Sequence, residues 1–302
     1  MGKKVLVALA IVAALIAAAY GPLVRTSPPP NHGYTLDLAK IRAAAESMPG
    51  PKPDAVRFEK IMALKFFEAM LMAGEPWTST LMPIYSYQLV FPQQTLIVDT
   101  AMHLSSAQPA FLAMDFDDAA YQRMNAAMEG AAQIVITHEH MDHIGGIAVH
   151  PHLAKLLPAL RLTDEQLNNP DGMKPVVLPA EVMKSYQPMH YEGILAIAPG
   201  VVLVKAPGHT PGSQMVYVRR ADGHEILFLG DVSWRLRNLE RIRERPLFMT
   251  AIIGENREQV LGEFQALHEL MQAEPGIAIV PGHDGPAVDA LVAAGVLQQG
   301  FR

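Results

Sequence analysis

The sequence predicts a domain of the α+β class, and three observations carry that expectation. Two pairs of strand-like runs are each joined by turn chemistry: Tyr85 to Phe91 with Thr95 to Asp99 around Pro-Gln-Gln, and Gln214 to Val218 with Glu225 to Leu229 around Ala221-Asp222-Gly223. Two helical patterns carry N-capping residues. Asp117 precedes one over 118–129, with Gly130 expected at its C′ position, and Asn256 precedes one ending at Ala273, whose Val260, Phe264, Leu267 and Met271 share a face. Finally, several apolar strands stop at or just before a His or an Asp. With 302 residues, half of them hydrophobic and 18% charged, the chain can bury a large core.

In chain order, Lys3-Lys4 and the unbroken apolar run Val5 to Ala19 lead into the small residues Ala17-Ala18-Ala19. Residues 1–24 therefore read as a secretory signal peptide, with an uncleaved anchor over Val5 to Val24 as the competing reading. Either reading exports the remainder, as a periplasmic or secreted protein or one held at the membrane. Residues 25–55 read as a linker and short helix: Thr26 to Asn31 holds three consecutive prolines, and Leu36 to Met48 is a helix that Pro49-Gly50-Pro51 stops. The main domain spans 56–302. Val56 to Ile61 alternates as a strand, whereas Ala63 to Ala73 fits either a helix or a buried strand. Between Pro151 and Glu192 strand character is scarce, although Thr163 and Gln166 form a capping box and Pro170-Asp171-Gly172 marks a turn. Val201 to Lys205 and Ile277 to Val280 are further strands.

The richest stretch is Ile134-Val135-Ile136-Thr137-His138-Glu139-His140-Met141-Asp142-His143. In extended chain His138 and His140 share a face and can reach one ion, while Asp142 and His143 fall where the chain bends and can serve a second. Gly145 and Gly146 suit a tight backbone path beyond them. His209, Asp231 and His283 stand at three later strand ends. The chain has no cysteine, which excludes disulfides and thiolate ligands, and its net charge of −6 argues against nucleic acid as a partner.

The segment His138-Glu139-His140-Met141-Asp142-His143 resembles the His-x-His-x-Asp-His signature of the metallo-β-lactamase superfamily. Pro207-Gly208-His209-Thr210-Pro211-Gly212, Gly230-Asp231 and Pro281-Gly282-His283 resemble its later motifs in the right order. The resemblance implies a four-layer αββα sandwich and a dinuclear zinc hydrolase, with iron or manganese as alternative metals. His138, His140 and His209 would hold one ion, Asp142, His143 and His283 the other, and Asp231 would bridge. A metal-bridging hydroxide would attack the carbonyl of a small ester, lactone or thioester. Asp142 is the candidate to orient it and shuttle a proton, although the two carboxylates could exchange roles.

The departures sort the substrate classes. The diiron branch of the superfamily carries Glu where this chain has His140; Glu139 would point away, as a solvated or supporting residue. β-Lactamases of the superfamily usually replace the bridging Asp by Cys or Ser, so Asp231 counts against the alternative of β-lactam amide hydrolysis. Acyl-homoserine lactonases keep that Asp and often place a substrate-contacting Tyr three residues later, where this chain has Trp234. Trp234 and Arg235 are the candidate substrate-binding residues, Arg235 for a carboxylate or phosphate. The rest of the run Arg237, Arg241, Arg243 and Arg245 reads as a solvated helix balanced by Glu240 and Glu244. His103 reads as a supporting or surface histidine. A mononuclear iron persulfide dioxygenase and a non-catalytic metal-dependent binding module are the remaining alternatives.

Overall fold

The computed structural model of the chain describes residues 2–24, 33–107 and 112–302, so the expected linker Thr26–Asn31 lies outside the described residues. The chain opens with α1 (Lys3–Val24) and α2 (Leu38–Glu46), followed by β1 (Ala55–Phe67), α3 (Glu68–Leu71), β2 (Ser79–Val90), β3 (Thr95–Val98) and the short β4 (Ala113–Met114). α4 (Asp118–Gly130), β5 (Gln133–Val135) and α5 (Met141–Ala148) carry the first motif. Short pieces follow: α6 (Leu153–Leu156), β6 (Leu160–Arg161), α7 (Asp164–Leu167) and α8 (Ala180–Met183). Next come β7 (Ile194–Ala198), β8 (Val201–Lys205), β9 (Gln214–Arg219) and β10 (Glu225–Gly230). The chain closes with α9 (Leu236–Glu240), α10 (Leu247–Ile253), α11 (Arg257–Ala273), β11 (Ile277–Pro281), α12 (Gly285–Ala293) and β12 (Gln298–Gln299).

Two sheets form. One runs β12-β1-β2-β3-β5-β6 with β4 attached to β1; the other runs β11-β10-β9-β8-β7. Strand parity explains how they stack. Along β8, Val201 and Leu203 face the interior between the sheets, while Val202 and Val204 face outward beneath α2 and α11. In the first sheet Leu96, Val98 and Val135 face inward, while Ile97 and Ile134 meet α4 and α5 on the outer side. Strands buried on both faces need continuous apolar runs, which is why β8 reads Val-Val-Leu-Val. The three apolar layers define four layers of structure, the expected αββα sandwich.

Local chemistry sets the element ends. Asp117 accepts from Ala120 N at 2.9 Å, Asn256 caps α11 by accepting from Gln259 N, and the Thr163–Gln166 capping box closes as expected. Gly130, however, is the last residue of α4 and has no positive φ; Ala131 is the C-cap. The undecided stretch Ala63–Ala73 is both forms in succession: β1 continues to Phe67 and one helical turn, α3, follows. β1 and β2 pair from Ala55↔Val90 to Phe67↔Ser79, so beyond Ala63–Leu64, where β4 joins β1, they continue as a two-stranded arm. On α11, Met271 is only partly buried, and Leu270 completes the apolar face instead.

Candidate metal centre

The motif strand ends earlier than expected. β5 stops at Val135, and His138 to His140 lie on a loop beyond it. Asp142 and His143 occupy the first turn of α5, with His140 as its N-cap residue. The pairing of His138 with His140 survives this change, their ring centroids lying 4.7 Å apart. Gly145 and Gly146 lie within α5; a Cβ on Gly146 would stand 2.1 Å from the Thr100 carbonyl oxygen, so their small size lets α5 press against the chain after β3.

Loops after β5, β8, β10 and β11 bring the seven expected side chains together, at the strand C-terminal ends where sites of layered α/β sheets form. His138, His140, His209 and Asp231 make one group, and Asp142, His143, Asp231 and His283 a second; within each, the donor atoms all lie within 4.8 Å of one another. Asp231 belongs to both. Its Oδ2 lies 3.7 Å from His138 Nε2 and 3.5 Å from His209 Nε2, while its Oδ1 lies 3.3 Å from His143 Nε2 and 3.1 Å from His283 Nε2.

The donors fit divalent cations. His138 Nε2, His143 Nε2 and Asp231 Oδ1 are buried without a hydrogen-bond partner, a costly state unless a cation meets them. Imidazole nitrogens and carboxylate oxygens are suitable ligands for zinc and its neighbours in the first transition row.

The opposite ring nitrogens are held from behind. Asp99 Oδ2 lies 2.8 Å from His143 Nδ1 and accepts from Thr137 Oγ1, while its Oδ1 accepts from Thr137 N. Asp99 sits at a left-handed φ of 59°, a conformation that packing must enforce for a non-glycine residue. His283 Nδ1 is 2.9 Å from the Pro83 carbonyl, and His209 Nδ1 is 2.6 Å from Glu255 Oε1. Such partners fix ring orientation.

Three supports have roles that the one-dimensional pattern did not assign. Trp234 Nε1 donates to Asp231 Oδ2 at 2.7 Å. The buried Arg245 guanidinium stacks on the Trp234 ring at 4.1 Å, meets Glu255 at 2.8 Å and donates to the Asp231 carbonyl. Gly282 gives Asp231 its room, because a Cβ there would lie 2.2 Å from Asp231 Oδ1. The arginine run is thus no uniform solvated helix: Arg245 is buried, and Arg237 and Arg241 pair with Glu75 rather than Glu240. Arg235 donates to Thr80 Oγ1 and the Leu81 carbonyl and lies 3.8 Å from Asp284. Glu139 points away from the group, but it is buried, not solvated, accepting from Asn169 and Thr210. His103 packs against Phe116 and Tyr121, away from the seven.

Electrostatics divide the imidazoles. Burial holds His138 well below its ordinary range and pushes His140 and His209 down to about 3, so these rings offer lone pairs at neutral pH. Burial also opposes charge on His143 and His283, but Asp231 and Asp142 outweigh it, joined by Asp99 at His143, and both rings are raised.

The profile of the Metallo-beta-lactamase superfamily matches residues 80–283. The chain belongs to that superfamily. It is a metal-dependent hydrolase of the fold, as the seven-residue cluster anticipates. Among curated superfamily relatives, an N-acyl homoserine lactonase of Bacillus thuringiensis is 25% identical over 218 residues, covering 67% of this chain and 82% of its own. A probable metallo-hydrolase of Mycobacterium tuberculosis is 29% identical over 205 residues, covering 59% and 62%. The fold matches that of a solved N-acyl homoserine lactone hydrolase with N-hexanoyl-L-homoserine at its catalytic metal centre: TM-score 0.62, 19% identity, 79% of this chain and 96% of that one. A probable metal-dependent hydrolase from Staphylococcus aureus aligns with TM-score 0.61 and 12% identity, over 78% and 91%.

Proposed function

We propose that the chain is an exported dinuclear zinc hydrolase that opens small carboxylic esters, lactones first among them. The observation that carries the reading is Asp231, whose two oxygens face two separate donor groups and so favour two ions over one. The curated lactonase relatives support the lactone class, and the N-terminal apolar segment supports export.

When bound, such an ion pair supplies an activated water and a Lewis acid for the carbonyl oxygen. Asp231 is buried, its Oδ2 held by the Trp234 N–H and its Oδ1 facing His143 and His283, which suits it to hold the spacing. Asp142 is less enclosed, its Oδ2 3.5 Å from His283 Nε2, and its role is to orient the attacking water and take its proton. Because Trp234 is buried under Arg245 and its N–H is engaged with Asp231, it offers substrate no donor, and the leaving alcohol depends on another proton source.

The test is a hydrolysis panel of acyl-lactones, thioesters, aryl esters and β-lactams, run alongside elemental analysis of the purified chain. We expect about two zinc ions per chain, the highest kcat/KM on a lactone, and at least ~10³-fold loss in Asp142→Ala. A single bound iron with persulfide-dependent oxygen uptake, or no hydrolysis of any member of the panel, would overturn the reading.

A further inference from the structure

The β1–β2 arm has two faces of different character. Leu64, Phe66 and Met82 turn inward and pack around Trp234 beside the metal-ligand cluster. Phe67 and Leu81 turn outward and are 41% and 43% exposed. Trp77, half exposed, lies edge-on to Phe67 and stacks on Phe248 of α10 at 6.3 Å; Ile252 on the same helix is 72% exposed. Large apolar side chains gathered in this way on a soluble surface mark an interaction site.

The chain itself indicates what the patch meets. Residues Lys3–Gly21 of α1 are long and apolar enough to cross a bilayer, and no part of that stretch is buried in the protein. α1 nevertheless packs against α10, and its last residue, Val24, is buried. Whatever adjoins the end of a membrane-crossing helix lies at the bilayer surface. An exposed Trp beside Phe, Leu and Ile is a composition suited to that interface. Lys65, exposed on the same outward face of β1, and Arg237 and Arg241, each about half exposed, add positive charge near anionic headgroups, offset in part by Glu68 and by Glu75, which pairs with both arginines.

We propose that the outward face of the β1–β2 arm and α10 rests on the surface of the membrane that α1 enters, with Trp77 at headgroup depth. α1 acts here as a retained anchor. The docking does not depend on the hydrolase reading; its consequence for substrate does, since the wall between this surface and the cluster would then favour amphiphilic carbonyl compounds delivered from the bilayer.

Trp77 and Trp234 are the only tryptophans in the sequence, and Trp234 is buried, which makes the test direct. The full chain is reconstituted into phosphatidylcholine–phosphatidylglycerol vesicles with and without lipids brominated near the head of the acyl chain. Bromination should remove up to half of the tryptophan emission, and Trp77→Phe should abolish that loss while leaving the thermal transition in place. Equal emission in both vesicle types would overturn the proposal. So would a blue shift of Trp77 without bromine quenching, which would mean that α1 or a second copy covers the patch. Neither outcome bears on catalysis, which the hydrolysis panel reads separately.

Discussion

Six side chains surround Asp231: His138 and His209 near Oδ2, His143 and His283 near Oδ1, the Trp234 N–H on Oδ2, and Arg245 on its carbonyl. Of these, the Trp234 hydrogen bond is the one a single substitution removes cleanly, because Trp234→Phe keeps an aromatic ring under the Arg245 guanidinium. Removing an outer hydrogen bond to a ligand typically weakens metal binding about 10–100-fold. We expect Trp234→Phe to lose zinc to a chromophoric chelator at correspondingly lower competitor concentration. Unchanged retention would show that the indole N–H does not position Asp231. This support was legible only in part. The sequence marked Trp234 and Arg235 as neighbours of the site, but the same one-dimensional spacing serves a substrate contact and a buried buttress equally well.

At the scale of elements, α11 does more than cover the second sheet. Asn256 starts it, and about two turns later its buried face brings Glu263 onto the loop carrying His209, where Oε1 accepts from Gly208 N at 2.9 Å and Oε2 has no partner. Burial pushes this carboxyl up to about 8, against an ordinary 4.5. Between those values the folded chain holds a proton that the unfolded chain has released, so stability falls as pH rises through the window. Glu263→Gln should remove that dependence: its thermal transition should match the parent near pH 4.5 and exceed it increasingly up to pH 8, by no more than roughly 3–5 kcal/mol. A constant difference across that range would show that Glu263 does not titrate in the folded chain. Its burial was not foreseeable, because a Glu between Gly262 and Phe264 reads as an exposed position until the helix is docked.

For the whole molecule, the candidate metal-ligand cluster is a joint between the two sheets. His138, His140, Asp142 and His143 follow the first sheet's β5, whereas His209, Asp231 and His283 follow strands of the second. Ions held across that joint would bind the folded chain and not the unfolded one, adding to stability by mass action. Chelation should therefore lower the thermal transition by several degrees, and zinc should restore it. Because Asp231 and Asp142 raise His143 and His283, reloading near neutral pH should also release protons, measurable as a dependence of binding heat on buffer ionisation. A transition indifferent to chelator would mean that the sheets are joined without help from metal.

What the sequence by itself determined is the set of parts. Apolar runs, caps and turn residues placed β8, β9, β10, α11 and the Thr163 capping box within a residue or so, because hydrophobic period and backbone hydrogen bonding are local. Seven donors at strand ends were likewise visible, since ligand chemistry restricts residue type. Tertiary structure alone decided how the parts work. It divided Ala63–Ala73 between β1 and α3, turned the end of the β5 motif into the first turn of α5, and buried Glu139 and Arg245. It also laid Trp234 against Asp231 and Gly282 beneath it. Each of these outcomes depends on which surfaces meet across the fold, and contacts between residues far apart in the chain leave no period or spacing in the sequence.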